Sequence, residues 1–455
     1  MRQRRKDNSF DGNDNIGAKV IHDVLSRSGV RVGFCSPETA SQYPLVLVSL
    51  TSTYDVFAFY RAVAKYPSWQ SGKRTFKVLA GGFGMQSPVA IRHFVDYAAF
   101  GRAEGWVTPI VDALLGGGVP EHHPSLMCLP DLHPVEIAQA ETLYPYEVAG
   151  WKETFTGCPL KCKFCHYTYA RKHQGGEDAY GGEREYVQMT LTGGTTPELT
   201  WDQLFTWGKK LGRVRVAIDG FSERLRYLYG KHISDQDIID GIEAVGQYEG
   251  ITTILAYNIA NMPTETQEDR ESLYRTLSKA RPKNRVIFVL HSTPFRPSLG
   301  TPMQWEPVSL FPDMSKLRSK VIVEHRTLRA VHSFTLETPY SHLLSVVAER
   351  ATPQSDDLFH AAAFAPGLHK GRDEDKLRRI KANFPITDYL REWSVDESLP
   401  AWFLRSYIDP TTIHKAALKM REDAKRSLAE PGWKPGNVSM VQARLNRIAK
   451  HGNDR

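Results

Sequence analysis

Apolar and polar positions alternate along this chain in two rhythms. Val20, Ile21, Val24 and Leu25 recur at helical spacing up to Gly29, and Val30 to Phe34 then extend, which predicts a helix and a strand over 16–34. Tyr43 to Leu50 is a nearly continuous apolar run, the pattern of a strand buried on both faces. Helical spacing returns around Tyr54 to Tyr66, a strand is predicted at Phe76 to Ala80 before Gly81-Gly82, and a third helix runs up to Tyr97–Phe100. Strands alternating with helices predict an α/β unit over 16–118, a Rossmann-like open parallel sheet.

A connector rich in Pro and His, 119–147, separates this unit from the next. From 148 to 325 the alternation resumes, with strands near Val187–Leu191, Val214–Ile218, Thr253–Ile259 and Val286–Leu290. That pattern predicts a part-barrel of parallel strands. From 326 to 455 the periodicity is mainly helical, which predicts an accessory carboxyl-terminal region. Residues 1–15, with Arg2, Arg4, Arg5 and Lys6, read as a flexible basic arm.

Composition narrows the class. The chain has 455 residues, 41% apolar and 24% charged, enough for two or three cores. No apolar run is long enough for a membrane-spanning helix, and Met1 to Phe10 lacks the apolar segment of a secretory signal. Five cysteines exclude a disulfide-stapled secreted scaffold, so a cytoplasmic location is expected. The net charge is +7, and from Ile413 to Arg455 ten basic residues face four acidic ones. Such a tail is ordinarily a solvated helical face; with the basic arm it also suits a nucleic-acid substrate. Trp393, Trp402 and Trp433 could stack on bases, although packing is the commoner use of such aromatics.

Three cysteines carry the candidate chemistry: Cys158, Cys162 and Cys165, spaced Cys-x3-Cys-x2-Cys. Short spacings gather three thiolates around one point, which suits an iron–sulfur cluster, or a zinc site completed by His166 or a distant residue. Cys35 and Cys128 lie far apart in the sequence and are expected to be small buried hydrophobes. His122, His123 and His133 read as ordinary connector histidines.

The string Cys158-Pro-Leu-Lys-Cys162-Lys-Phe164-Cys165 resembles the motif of the radical S-adenosylmethionine enzymes, with an aromatic residue before the third cysteine. Five further segments follow in family order. Thr192-Gly193-Gly194-Thr-Thr-Pro197 resembles the glycine-rich segment that binds the methionine amino group, without its usual acidic residue. Asp219, where Glu is commoner, and Ser222 lie in a segment similar to the one near the cofactor's ribose and carboxylate. Lys231 to Ile238 resembles the helix start that follows, Asn258 to Asp269 the stretch near the adenine, and Pro294 to Pro302 the end of the sixth strand. In the adenine stretch Asn261 and Thr264 stand in place of glycines.

The resemblance implies a [4Fe–4S] cluster on Cys158, Cys162 and Cys165, with one iron open to S-adenosylmethionine. It further implies that Phe164, Gly193, Gly194, Asp219, Ser222 and Asn261 bind the cofactor. A one-electron reductant of flavodoxin or ferredoxin type, cleavage to a 5′-deoxyadenosyl radical and hydrogen-atom abstraction from a substrate complete the expectation. The fold implied is α/β: a Rossmann-like cobalamin-binding-type domain, a (β/α)6 part-barrel and a mostly helical carboxyl-terminal region.

The residues that would quench or steer the substrate radical are not identified from the sequence. A nucleobase, or an adduct attached to one, is the expected substrate, with radical isomerisation among the outcomes. The alternatives are a cobalamin-dependent methyltransferase acting on a peptide or small molecule, and a non-catalytic, metal-containing nucleic-acid-binding protein. The subgroup's cobalt-ligand string, Asp-x-His-x-x-Gly, is absent; Asp131-Leu-His133 is the nearest to it, so activity without cobalamin is expected.

Overall fold

The structure is a computed structural model; it describes residues 15–86, 88–139, 141–148, 153, 155–158, 162–172, 174–175, 188–189, 213–247, 252–310, 319–334, 338–365, 371–397, 404–430 and 432–433. The first helix, α1 (Ile16–Arg27), starts where the Asn15 side chain accepts a hydrogen bond from the amide of Ala18. It ends before Gly29, whose φ of +85° turns the chain. Then come β1 (Leu45–Ser49), α2 (Thr53–Val63), β2 (Lys77–Gly81), β3 (Tyr97–Ala99), α3 (Val107–Leu115) and β4 (Leu126–Cys128). They form a four-stranded sheet in the order β1-β2-β3-β4, parallel except for β4.

Several local expectations change here. Val30 to Phe34 extends but joins no strand. β1 is the sheet's edge, so its residues are mostly half-buried rather than covered on both faces. Tyr97 to Ala99 is a buried strand, not the end of a helix. The connector supplies β4 to the first sheet, and its β5 (Val135–Glu136) pairs with the distant β14 (Leu404–Arg405). Cys128 ends β4 exposed, where a buried residue was expected.

Two short strands, β6 (Phe155–Thr156) and β7 (Gln174–Gly175), pair antiparallel and bracket the cysteine segment with α4 (His166–Ala170) between them. The second sheet is built from β8 (Gln188–Met189), β9 (Arg213–Ala217), β10 (Thr253–Ala260), β11 (Val286–Pro294), β12 (Ser319–Glu324) and β13 (Leu328–Phe334). Its order is β12-β13-β11-β10-β9-β8, all parallel but for β12, and among the described residues the sheet does not close into a barrel. Parallel β13 carries the sheet past residue 325, so the segment from Pro294 to Pro302 follows β11 and precedes that further strand.

Helices α5 (Glu223–Leu228), α6 (Asp235–Val245) and α7 (Gln267–Lys279) connect these strands. Along β10 every second residue is buried; Ile254 and Ala256, with Phe288 and Leu290 of β11, share a core with Ile238, Ile242, Leu273 and Leu277 of the helices. Burying each of the isoleucine, leucine and phenylalanine side chains contributes roughly 1.5–3 kcal/mol.

Beyond the second sheet lie α8 (Pro339–Glu349), α9 (Ser355–Phe364), α10 (Asp373–Asn383), α11 (Thr387–Leu390) and α12 (Pro410–Ala429). Helices α8 to α10 do not stand apart. Phe359 of α9 meets Phe57 and Tyr60 of α2 edge-on, with centroids 5.2 and 5.6 Å apart, so they share a core with the first sheet. Among the described residues no helix is long and apolar enough to cross a membrane.

Candidate metal and cofactor site

The cysteine segment rests on the last turn of α5. The amide of Lys163 donates to the carbonyl of Tyr229 at 2.9 Å, and its Nζ donates to the carbonyl of Leu228 at 2.8 Å. Cys162 Sγ points at the carbonyl of Gly230, 3.8 Å away. These carbonyls end a helix and lack partners within it, so the cysteine segment satisfies them. Gly230 has φ +80°, the left-handed residue that closes the turn, and Lys231 follows with its amide on the carbonyl of Arg226.

Cys162 is buried, and Cys158 and Cys165 are half-buried. Burial pushes the Cys162 thiol up to about 12, with Cys165 and Cys158 adding to the rise and Lys231 opposing it. A thiolate at Cys162 would need a metal in place of its proton. Among the described residues no three His, Cys, Asp or Glu side chains converge closely enough to hold a single metal ion. His166, one of the candidate fourth ligands of a zinc site, has its Nδ1 engaged elsewhere. Its Nδ1 lies 2.6 Å from the carbonyl of Leu299, and its ring packs at 5.2 Å against Phe83. Three thiols in one loop, without a bound fourth protein donor, match the donor set of an iron–sulfur cluster with one open iron.

The proposed cofactor contacts have divergent settings. Phe164 packs, half-buried, with Leu225, Leu228, Met262 and Phe295. Asp219 follows β9 with φ +45° and binds Lys231 Nζ through Oδ2 at 2.6 Å. Ser222 caps α5 by accepting from the amide of Leu225, and its hydroxyl donates to Asp269 at 2.5 Å. Asn261 has φ +57°, and its Oδ1 accepts from Arg270 at 2.8 Å. Thr264, with φ +65°, likewise holds a left-handed conformation at a position where the resemblance expects glycine. Gly193 and Gly194 lie outside the described residues.

Residues the sequence did not single out tie the two sheets together here. Phe83, in the loop after β2, meets His166 and Tyr167, and the Arg171 guanidinium lies 5.7 Å from its ring. Arg296, after β11, donates to Thr53 at 2.9 Å and covers Tyr54 at the start of α2. The only sequence signal was Gly81-Gly82-Phe83-Gly84, and these glycines serve the chain itself. A Cβ on Gly82 or Gly84 would stand 2.4 Å from the carbonyl oxygen of Leu50 or Ser52, and one on Gly101 2.3 Å from that of Ala138.

Of the other expected aromatics and histidines, Trp393, Trp433 and His123 pack, whereas His122 is exposed. Trp393 meets the guanidiniums of Arg350 and Arg391, Trp433 joins the cluster around Met303, and His123 stacks on Trp106 at 4.0 Å. Trp402 lies outside the described residues.

No protein-family model matches the chain, and no curated protein does. Among solved structures it resembles a radical S-adenosylmethionine methyltransferase, TsrM, from Kitasatospora setae, whose structure has a tryptophan substrate and an S-adenosylmethionine analogue bound. The identity is 12%, the match covers 96% of each chain and the TM-score is 0.46. It also resembles OxsB, a cobalamin-dependent S-adenosylmethionine radical enzyme, with aqua-cobalamin and S-adenosylmethionine bound. There the identity is 12%, coverage is 95% of this chain and 76% of that one, and the TM-score is 0.41. At these values the likeness adds nothing to what the chain's own residues say.

Proposed function

We propose that this protein is a radical S-adenosylmethionine enzyme that cleaves its cofactor reductively and takes a hydrogen atom from a substrate. The observation that carries this reading is the cysteine segment. Cys162 and Lys163, in the middle of the three-thiol loop, lie against the end of α5, at the carboxyl side of the parallel sheet, where sites of such sheets form. When bound, the cluster would supply the electron that breaks the sulfonium bond. The chain's own part is positioning: β6 and β7 hold the ends of the loop, α5 its middle, and Phe83 with His166 walls it from the first sheet.

For the substrate we infer a nucleobase or a nucleobase adduct. Lys415, Lys419, Lys425 and Arg426 are exposed on α12, while Ile413, Ala417 and Met420 of the same helix are buried. A polyanion following that face would be held near the molecule through its phosphates. The second reading is a cobalamin-dependent methyltransferase acting on a peptide or small molecule. Its supporting observation is that the loop after β2 faces the cysteine segment, since cofactors of open parallel sheets bind beyond the carboxyl ends of strands.

The test is mass analysis of nucleic acid, peptide and small-molecule pools after incubating the reduced, reconstituted protein with S-adenosylmethionine, with and without cobalamin. A changed nucleoside without cobalamin supports the first reading. A product one methyl group heavier, formed only with cobalamin, supports the second.

A further inference from the structure

A chain of polar side chains crosses the otherwise apolar face that the second sheet turns to its helices. Asn258 of β10 and Ser292 of β11 are register partners, 1% and 0% exposed, and Asn258 Nδ2 donates to Ser292 Oγ at 3.2 Å. Ser292 Oγ lies 2.8 Å from Nε2 of His332 on β13, and Nδ1 of that ring lies 3.1 Å from the hydroxyl of Tyr274 on α7. At the other end Asn258 Oδ1 accepts from the amide of Gly220 at 2.7 Å. The chain thus spans three parallel strands and ends on the turn after β9.

That last bond fixes the direction of every proton in the chain. A backbone amide only donates, so Asn258 turns its oxygen to Gly220 and its NH2 to Ser292. Ser292 Oγ, accepting from Asn258, has its own hydrogen to give to Nε2 of His332. A neutral ring that accepts at Nε2 carries its proton on Nδ1 and donates to Tyr274. Polar groups buried on such a face are costly unless they are paired in this way, and apolar side chains of the same shape pack there equally well. Folding alone does not call for them.

Their use lies at the end of the chain. Gly220 shares its turn with Asp219, held at φ +45°, a conformation a non-glycine residue keeps only where its surroundings impose it. The Asp219 carboxylate binds Lys231 at 2.6 Å, and Gly230, one residue earlier, presents its carbonyl to Cys162 Sγ at 3.8 Å. Phe221, which follows Gly220, sets its ring edge-on to His332 with centroids 5.6 Å apart. His332 therefore bears on the turn both through the chain and by direct packing.

We propose that Asn258, Ser292 and His332 are positioning residues: their hydrogen-bond chain, running in this one direction, fixes the Asp219–Gly220 turn in the form that receives S-adenosylmethionine beside the cysteine loop. The proposal rests on the radical-enzyme reading and goes beyond it, since it gives a role to side chains of the sheet's helix-covered face that the reading does not use.

The test takes two readouts on the full-length protein. Hydrogen–deuterium exchange, followed by mass spectrometry on peptides holding Gly220, needs no cofactor. Equilibrium dialysis of S-adenosylmethionine against the anaerobically reconstituted protein gives a Kd. His332→Leu removes the acceptor that Ser292 uses, and His332→Gln keeps one. The Leu variant should exchange faster at Gly220 and bind roughly tenfold more weakly, the worth of about one hydrogen bond, with the Gln variant within about twofold of the wild type. Leu114→Ala, a loss of packing in the core beneath α3, should lower stability and leave the Kd unchanged. Either readout unchanged in the Leu variant overturns the proposal; faster exchange at an unchanged Kd would make the chain structural only. A Gln variant as impaired as the Leu variant overturns it as well. Should His332→Leu fail to fold, Ser292→Ala breaks the same link with a smaller change, and wild-type exchange or a wild-type Kd there overturns it equally. A wild-type protein that takes up no S-adenosylmethionine sinks the radical-enzyme reading itself, and the exchange readout tells the two failures apart.

Discussion

Phe83 sets its ring against the imidazole of His166, with centroids 5.2 Å apart and planes at 64°. The contact joins the loop after β2 to the residue that follows the third cysteine. Because the cobalt-ligand string Asp-x-His-x-x-Gly is absent from the sequence, the protein should turn over without added cobalamin. Anaerobic assays with and without hydroxocobalamin check this; strict dependence, with co-purification of the corrinoid, contradicts it.

Asp269 gathers a network across the end of the sheet. It accepts from Ser222 at 2.5 Å and from Arg224 at 2.6 and 3.1 Å, and Arg224 continues to Ser427 of α12 at 2.9 Å. Asp269 is 4% exposed, so its removal strands a largely buried guanidinium. Asp269→Ala should destabilise the protein by about 3 kcal/mol, and chemical denaturation measures it. A loss below about 1 kcal/mol would show that the pair is no more than a surface contact.

Two glycines with positive φ should respond differently to alanine. Gly72, at φ +79°, faces open space, whereas Gly101, at φ +84°, would bring its Cβ within 2.3 Å of the Ala138 carbonyl oxygen. Gly72→Ala should cost about 1–2 kcal/mol, the left-handed penalty alone. Gly101→Ala should cost clearly more, because the first sheet must separate from the connector. Equal losses in denaturant titrations would contradict the close approach.

His332 is 5% exposed between Tyr274 and Ser292, with its ring nitrogens 3.1 and 2.8 Å from their hydroxyls. Burial holds it down to about 4, below the ordinary histidine value of 6.5. Between these two values the unfolded chain binds a proton that the fold refuses, so this contribution to stability falls as pH falls. The slope approaches about 1.4 kcal/mol per pH unit over most of that window. His332→Asn should flatten the fall in melting temperature from pH 6.5 to 4.5; an unchanged profile would place the titration elsewhere.

The exposed face of α12 gives a test of substrate capture. Each phosphate neutralised on duplex DNA contributes roughly −0.9 to the slope of log affinity against log salt. Replacing Lys415, Lys419, Lys425 and Arg426 with Gln should flatten that slope and weaken binding to all sequences alike. Filter binding over a salt series measures it, and an unchanged slope would return the substrate to the peptide or small-molecule class.

The legible parts were those whose information is local. Cys158, Cys162 and Cys165 announce their chemistry through residue type and spacing, and long alternating runs such as β10 and β11 place themselves. Tyr97 to Ala99 misled because a short apolar run carries no period that separates strand from helix end. Leu126 to Cys128 hid among prolines and histidines, and only pairing with β3 makes it a strand. At the site, Ser222 meets an aspartate 47 residues away, and Lys231 a carboxylate 12 residues back. Such partners are set by the fold and leave no local pattern.

The most direct measurement is metal content and cofactor cleavage in anaerobically prepared protein, wild type beside Cys158→Ala. The wild type should hold about four irons per chain and release 5′-deoxyadenosine from S-adenosylmethionine on reduction, and the variant should lose both. Stoichiometric zinc without iron after reconstitution, with no 5′-deoxyadenosine formed, would contradict the radical-enzyme reading.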